Sequence, residues 1–388
     1  MKKQIVLKKN EEHRITAGHQ WVFSNEIASL RGAPEVGDIV ELLRHDEKFL
    51  GLGFYHPHSL IAFRFLTAEQ EDIGFKFFEH RIQQAFALRQ KLYPGSETFR
   101  LVHGESDFLP GLIIDKYNEF ISLQIFSAGM DKRTELICDV LETTFHPKAI
   151  VARNDVAIRT LEELPLEKKV LRGNPGITIL EDYGVKFEVD VLQGQKTGFF
   201  LDQRENRNSI HRYAAGAAVL DCFCNEGGFA LHAVLANAIS VQGFDISEAA
   251  IAKAKVNARL NSAAVEFEIG DATDILRLLN EKNKKFDLVI LDPPSFTKSK
   301  KNIPAALRGY KDINAAALRL IQPGGFLVSA SCSHHITEDG FISAIEQAAV
   351  KAKRHIQLLE FSGAAPDHPI IPAMPETKYL KFAIFAVR

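Results

Sequence analysis

Val219-Leu220-Asp221-Cys222-Phe223-Cys224-Asn225-Glu226-Gly227-Gly228 is the stretch that decides the fold. A short apolar run ends in a loop with paired glycines, and a helix-forming run, 228–237, follows. A strand passing through a glycine loop into a helix opens a parallel α/β sheet. Downstream the pattern repeats. Strands are expected over 240–244, 265–269, 286–291 and 326–331, with helices over 247–260, 272–282 and 305–321 between them. Ser247 and Asp271 stand where helix N-caps belong. A last helix, 338–352, leads to strand-like 356–361 and 380–387, a terminal hairpin. The alternation predicts a mainly parallel sheet with helices on both faces.

Such sheets bind ligands beyond the carboxyl ends of their strands. Each expected strand delivers a polar or reactive residue there: the Asp221–Gly228 loop, Asp245, Gly270-Asp271-Ala272, Asp292-Pro293-Pro294-Ser295-Phe296, and Ser331-Cys332-Ser333. The first loop lacks the third glycine of G-x-G-x-x-G, which argues against a dinucleotide. Asp245 suits the two hydroxyls of a ribose. Asp271 suits an adenine amino group, or caps the helix behind it, or does both. The set fits a nucleoside without a pyrophosphate, and S-adenosylmethionine is such a ligand.

Residues 1–70 are short β-like runs broken by glycines and read as a small β-rich module. Over 72–93 a helix is expected, with Phe78, Ile82, Ala85, Leu88 and Leu92 as its apolar stripe. Strands over 112–117 and 120–126, a helix over 131–145, a strand over 149–153 and a hairpin over 179–191 complete a compact α+β domain, 72–185.

The chain has 388 residues, 46% hydrophobic and 25% charged, and a formal net charge of −2. That balance excludes a disordered chain and a protein that coats nucleic acid through bulk charge. Four cysteines are too few for a disulfide framework, and their spacing suits no zinc site, so no metal is expected. The amino terminus has no apolar signal core, and no apolar run reaches the ~18–20 residues a bilayer needs. A cytoplasmic protein with no membrane partner is expected.

At the level of motifs, residues 190–388 resemble class I S-adenosylmethionine-dependent methyltransferases. The whole chain resembles bacterial 23S rRNA cytosine-C5 methyltransferases that carry an N-terminal PUA module. The resemblance rests on Gly18–Phe23, Gly198–Arg204, Asp221–Phe229, Asp292–Phe296, Arg308–Asn314, Ser331-Cys332-Ser333, Asp367-His368-Pro369 and Tyr379-Leu380-Lys381. It implies three parts: a PUA-like RNA-binding domain (1–70), a central α+β domain (72–185) and a methyltransferase domain (190–388). The last is a Rossmann-like seven-stranded sheet with its final strand antiparallel.

The resemblance also implies the chemistry. A cysteine thiolate attacks C6 of a cytosine, C5 takes the methyl group, and loss of the C5 proton expels the cysteine. Cys332 matches the family's nucleophile and Asp292 the acid that holds the cytosine N3/N4 edge. S-adenosylmethionine would be held by Asp221, Phe223, Asn225, Gly227, Gly228, Asp245, Ile246, Asp271 and Ala272, with Phe200, Gln203 and Arg204 ahead of the sheet. RNA would meet Pro293, Phe296, Lys298, Lys300, Arg308 and Lys311, and Lys196, Arg204 and Arg207 would extend that face. The implied partner is 23S rRNA, naked or in a partly assembled subunit; a homodimer is compatible with this.

One position departs from a related group of RNA cytosine methyltransferases. Those carry a second cysteine after the proline of the fourth-strand motif, where this chain has Pro294 or Ser295. The base that removes the C5 proton is therefore open between Asp292 and water. An ordinary cysteine has a pKa of about 8.5, so a helix N-terminus or a nearby lysine must favour the thiolate of Cys332. Sister enzymes acting on guanine place asparagine near the position of Cys332. Two other functions stay open at this level: an RNA N-methyltransferase of guanine or an exocyclic amine, and a non-catalytic RNA-binding assembly factor. The bland alternatives are an inert Cys332 at a strand end, core packing of Cys138, Cys222 and Cys224, and a solvated lysine loop after residue 297.

Overall fold

The computed structural model describes residues 2–297 and 299–388. They form two compact units. One comprises Met1–Leu180, Val189–Leu201 and Pro366–Thr377; the other comprises Glu181–Glu188, Asp202–Ala365 and Lys378–Arg388.

The second unit is built on seven strands: β1 (Ala218–Cys222), β2 (Ser240–Asp245), β3 (Glu266–Ile269), β4 (Phe286–Leu291), β5 (Ile321–Ser331), β6 (Ile356–Ser362) and β7 (Lys381–Val387). Their order is β3-β2-β1-β4-β5-β7-β6. Strands β1 to β5 pair in parallel, and β7 is antiparallel to both neighbours. This is the seven-stranded sheet the resemblance implied. Strand order reverses between β1 and β4, the kind of switch point where ligands collect. The β4 sequence FDLVIL is apolar nearly throughout, as a strand covered on both faces must be.

Helices α1 (Gly228–Leu235), α2 (Glu248–Leu260), α3 (Ala272–Glu281), α4 (Ile303–Leu320) and α5 (Glu338–Ala352) follow the strands. Ser247 caps α2 by accepting from the Ala250 amide, and Asp271 caps α3 by accepting from Thr273 and Asp274. The core joins Leu220, Val289, Leu291 and Leu327 from the sheet to Phe341 and Ile345 of α5. Strand β5 begins five residues earlier than expected. Its start carries Pro323-Gly324-Gly325, which reads as a turn, and its pairing with β4 is irregular there.

The first unit holds a six-stranded sheet within residues 4–67 and a five-stranded sheet within 98–173. One strand, Glu167–Gly173, has no signal in the sequence. It is an edge strand, mostly exposed, and its charged EKKVLRG lacks the alternation of a half-buried strand. The expected helix forms over Phe75–Leu92, but Leu88 and Leu92 are 40% and 38% exposed. Arg89 takes the inner position instead. Its guanidinium forks onto Asp107 at 2.5 and 2.7 Å and donates to the Asp367 carbonyl at 2.8 Å. The Asp367 carboxylate accepts from the Arg100 amide at 2.9 Å. These bonds tie the late segment Pro366–Thr377 into the first unit. No helix among the described residues is long and apolar enough to cross a membrane.

Candidate active site

The carboxyl edge of β1, β2, β4 and β5 gathers the polar residues of the second unit. The β1 loop turns through three left-handed residues, Phe223 (φ 67°), Asn225 (φ 48°) and Gly227 (φ 85°). A bulky residue such as Phe rarely adopts that conformation, and such strain clusters at functional sites. At Gly227 a Cβ would stand 2.9 Å from the Phe267 ring, so space as well as φ demands glycine. The Asn225 amide donates to Asp245 Oδ2 at 3.0 Å, while the Ser247 amide donates to Asp245 Oδ1 at 2.9 Å. Asp245 therefore braces the loop and the start of α2 together. Beside it Ile246 is 70% exposed, an apolar side chain held out at the sheet edge. Asp271 is exposed at the cap of α3, and Ala272 behind it is buried.

Asp221 lies deeper. It is fully buried, its Oδ2 accepts from the Ala230 amide at 3.0 Å, and its Oδ1 has no hydrogen-bond partner among the described residues. Burial, then the charge of Asp292, push its carboxyl well above the usual carboxylate range. A buried acceptor without a donor is costly, and a cation beside it would relieve both the repulsion and the missing bond.

Asp292 follows β4 and Cys332 follows β5, and the two strands are parallel neighbours. The two side chains thus leave adjacent strands at the same edge. Gln203 Nε2 donates to Asp292 Oδ2 at 2.9 Å, and Asn206 Nδ2 donates to Gln203 Oε1 at 2.7 Å. Asp292 is oriented from behind by this amide chain. Of the four cysteines, Cys138, Cys222 and Cys224 are buried and Cys332 is partly open. Burial pushes the Cys138 thiol up to about 12, and it raises Cys222 and Cys224 further. Those three are packing residues, as their positions in the core predict.

The Cys332 loop is pinned from three sides. The Ser333 hydroxyl contacts Tyr310 Oη at 3.1 Å and Ser295 Oγ at 3.0 Å. Lys381 Nζ donates to the carbonyls of Ser333 (2.7 Å) and Ile336 (2.8 Å). Tyr310 packs against Phe296 with ring centres 4.6 Å apart and planes tilted by 36°, and a Cβ at Gly309 would press on the Phe296 ring at 3.1 Å. Pro293 is buried, Phe296 is half-buried, Lys300 and Arg308 are exposed and Lys311 is half-buried. Lys298 lies outside the described residues.

One expectation needs correction. Arg204 and Arg207 are 4% and 3% exposed and cannot extend an RNA-facing surface. They turn inward to Asp182, at 3.4 Å from Arg204 and 2.6 Å from Arg207. Asp182 is itself buried and receives His232 at 3.5 Å. A buried carboxylate must be paired, and the two arginines do that. Phe200 belongs to the first unit, where Lys196 Nζ stands 4.0 Å from its ring centre. The roles of Lys381, Tyr310 and Ser333 in holding the Cys332 loop have one sequence signal: a lysine opening the apolar run Lys381–Val387, which becomes a central strand.

Residues 153–383 match the family model described as S-adenosylmethionine-dependent methyltransferase, and residues 5–68 match a PUA-like domain. A protein of Citrobacter koseri named Ribosomal RNA large subunit methyltransferase I is 38% identical over 98% of each chain. Its Escherichia coli O139:H28 namesake is also 38% identical over 98% of each. The chain belongs to the S-adenosylmethionine-dependent methyltransferases. A crystal structure of SMU.776 complexed with SAH shares the fold at a TM-score of 0.85, with 18% identity and full coverage of both chains. A chain from Streptococcus mutans does so at 0.83, with 19% identity.

The methyltransferase residues fit S-adenosylmethionine on structural grounds. The orphaned Oδ1 of Asp221 suits a cationic ligand group, and Gly227 lets the β1 loop close against Phe267 where a Cβ would clash. Asp245 has both oxygens at the loop, and Ile246 offers an exposed apolar surface next to it.

Proposed function

We propose that the protein transfers a methyl group to C5 of a cytosine in 23S ribosomal RNA of the large subunit, through a covalent Cys332–C6 adduct. The observation that carries the reading is the pairing of the partly open Cys332 with Asp292 at the ends of adjacent parallel strands. The curated relatives' name supplies the RNA class. The layout we infer is a PUA-like domain (1–70), a central domain (72–185) and the methyltransferase domain (190–388).

S-adenosylmethionine supplies the electrophilic methyl group when bound. Asp221, Phe223, Asn225, Gly227, Gly228, Asp245, Ile246, Asp271 and Ala272 line its place, with Gln203, the donor to Asp292, ahead of the sheet. Cys332 gives up its thiol proton and its sulfur bonds to C6, which loads electron density onto C5. Asp292 accepts from the N4 amino group, held in register by Gln203. After C5 is alkylated its proton passes to Asp292 or to water, the C5–C6 double bond re-forms, and the Cys332 thiolate is expelled. The target base must leave its stack to reach this edge. Phe296, Lys300, Arg308 and Lys311 flank that approach and suit base and phosphate contacts.

Incubating the protein with isotope-labelled S-adenosylmethionine and unmodified 23S rRNA, then digesting to nucleosides, tests the reading. Label in 5-methylcytidine is expected. Label in a methylguanosine or in N4-methylcytidine would overturn the C5 assignment, and no label would overturn the rRNA substrate.

A further inference from the structure

Lys381 is an unusual residue for its place. It opens β7, a central strand between β5 and β6, and is 3% exposed. A buried lysine is expensive unless its charge serves a partner. Two of its three N–H groups are committed to the carbonyls of Ser333 and Ile336, at 2.7 and 2.8 Å. Those carbonyls bracket the turn that begins at Cys332. In the β5–β7 ladder Lys381 is paired with Ser331, the residue just before Cys332. Backbone pairing and side-chain bonds therefore fix the ammonium against the cysteine loop from two directions.

We propose that Lys381 is the positioning residue that holds Cys332 as a thiolate. The inference rests on the reading of Cys332 as the nucleophile. The thiol proton is released to water before a base arrives; the sulfur electron pair then forms the S–C6 bond. Lys381 keeps its proton throughout and meets the thiolate again when the product leaves. Burial lowers the Lys381 amine to about 8, while the negative charge of Cys332 and then Glu338 favour its protonated form. Among the described residues, Lys381 is a cation bonded to the loop itself, and the other charged and titratable groups around the pair are these. Glu338 of α5 is neutralised by Lys378 at 2.7 Å. His334 and His335 share the Cys332 turn, His334 with its ring 5.4 Å from Tyr379. Tyr310 faces the turn from α4 with its hydroxyl on Ser333, and Asp292 faces it from β4 with a charge that opposes a thiolate.

The test reads the thiol and uses neither RNA nor cofactor. The full chain is alkylated with iodoacetamide across a pH series, and the rate at Cys332 is followed by peptide mass spectrometry. The buried Cys138, Cys222 and Cys224 report on unfolding, because they react only if the chain opens. In the wild type the rate should rise with a midpoint below the ordinary ~8.5. In Lys381→Met the midpoint should move up by at least one unit, so that alkylation at pH 7 slows about tenfold or more. Lys381→Gln, which keeps N–H donors without charge, should behave like Lys381→Met, and Lys381→Arg should restore the wild-type profile. A wild-type midpoint at or above 8.5 overturns the proposal with no variant needed. So does a Lys381→Gln profile that overlays the wild type. A lowered, lysine-dependent midpoint together with a fully active Cys332→Ala enzyme would instead sink the nucleophile reading and leave the pairing intact.

Discussion

Glu226, inside the β1 loop, is 9% exposed, and burial raises its carboxyl to about 7, with Lys253 opposing that rise and Glu188 adding to it. The native state therefore holds a proton that the unfolded chain releases near the ordinary 4.5. Between those values the folded form binds more protons, so stability falls as pH rises from about 4.5 to about 7 and is flat above. Glu226→Gln removes that loss. Its advantage over the wild type in denaturant unfolding, without cofactor, should grow across the same window to at most about 3 kcal/mol. An advantage that is constant from pH 4.5 to 8 would show that Glu226 does not carry the effect. Residue identity alone made Cys332 and Asp292 visible, because a reactive side chain directly after a strand is a one-dimensional signal. It could not show that Arg204 and Arg207 turn inward, because their partner Asp182 lies far enough away in sequence that only folding brings it near.

Strands and helices were legible where burial imposes a pattern. The continuous apolar run of β4 and the start of α3 have the same limits in sequence and structure, and α2 starts one residue later than expected, after its Ser247 cap. The edge strand Glu167–Gly173 was not, since exposure removes the pattern, and Arg89 broke the stripe of its helix because an ion pair satisfied it inside. The glycine loop is the element on which the site depends most. At Gly227 an alanine must adopt φ 85° and push on the Phe267 ring. Left-handed backbone costs about 1–2 kcal/mol before the clash is counted. Gly227→Ala should lower Tm by about 5 °C and weaken S-adenosylmethionine binding in calorimetry by more than tenfold. Unchanged affinity would mean that the loop does not line the cofactor.

At the scale of the whole molecule, a net charge of −2 rules out coating of nucleic acid through bulk charge and nothing narrower. It becomes intelligible when the acids are placed. Asp221, Asp245, Asp271 and Asp292 all stand along the carboxyl edge of one sheet, and they offset basic residues such as Lys300 and Arg308 that remain exposed. Total charge is thus silent about local chemistry. The fold was readable from the order of its α/β units, and the PUA-like module from motif resemblance. The central claim, a covalent bond between Cys332 and a cytosine, has a direct test. In 23S rRNA carrying 5-fluorocytidine, the fluorine at C5 cannot leave as a proton, so elimination stalls and the adduct persists. With S-adenosylmethionine present, the wild type should form a protein–RNA species stable to denaturing electrophoresis, with the link mapped to Cys332, and Cys332→Ala should form none. A wild type that methylates rRNA yet forms no such species, or an equal yield from Cys332→Ala, would contradict the account.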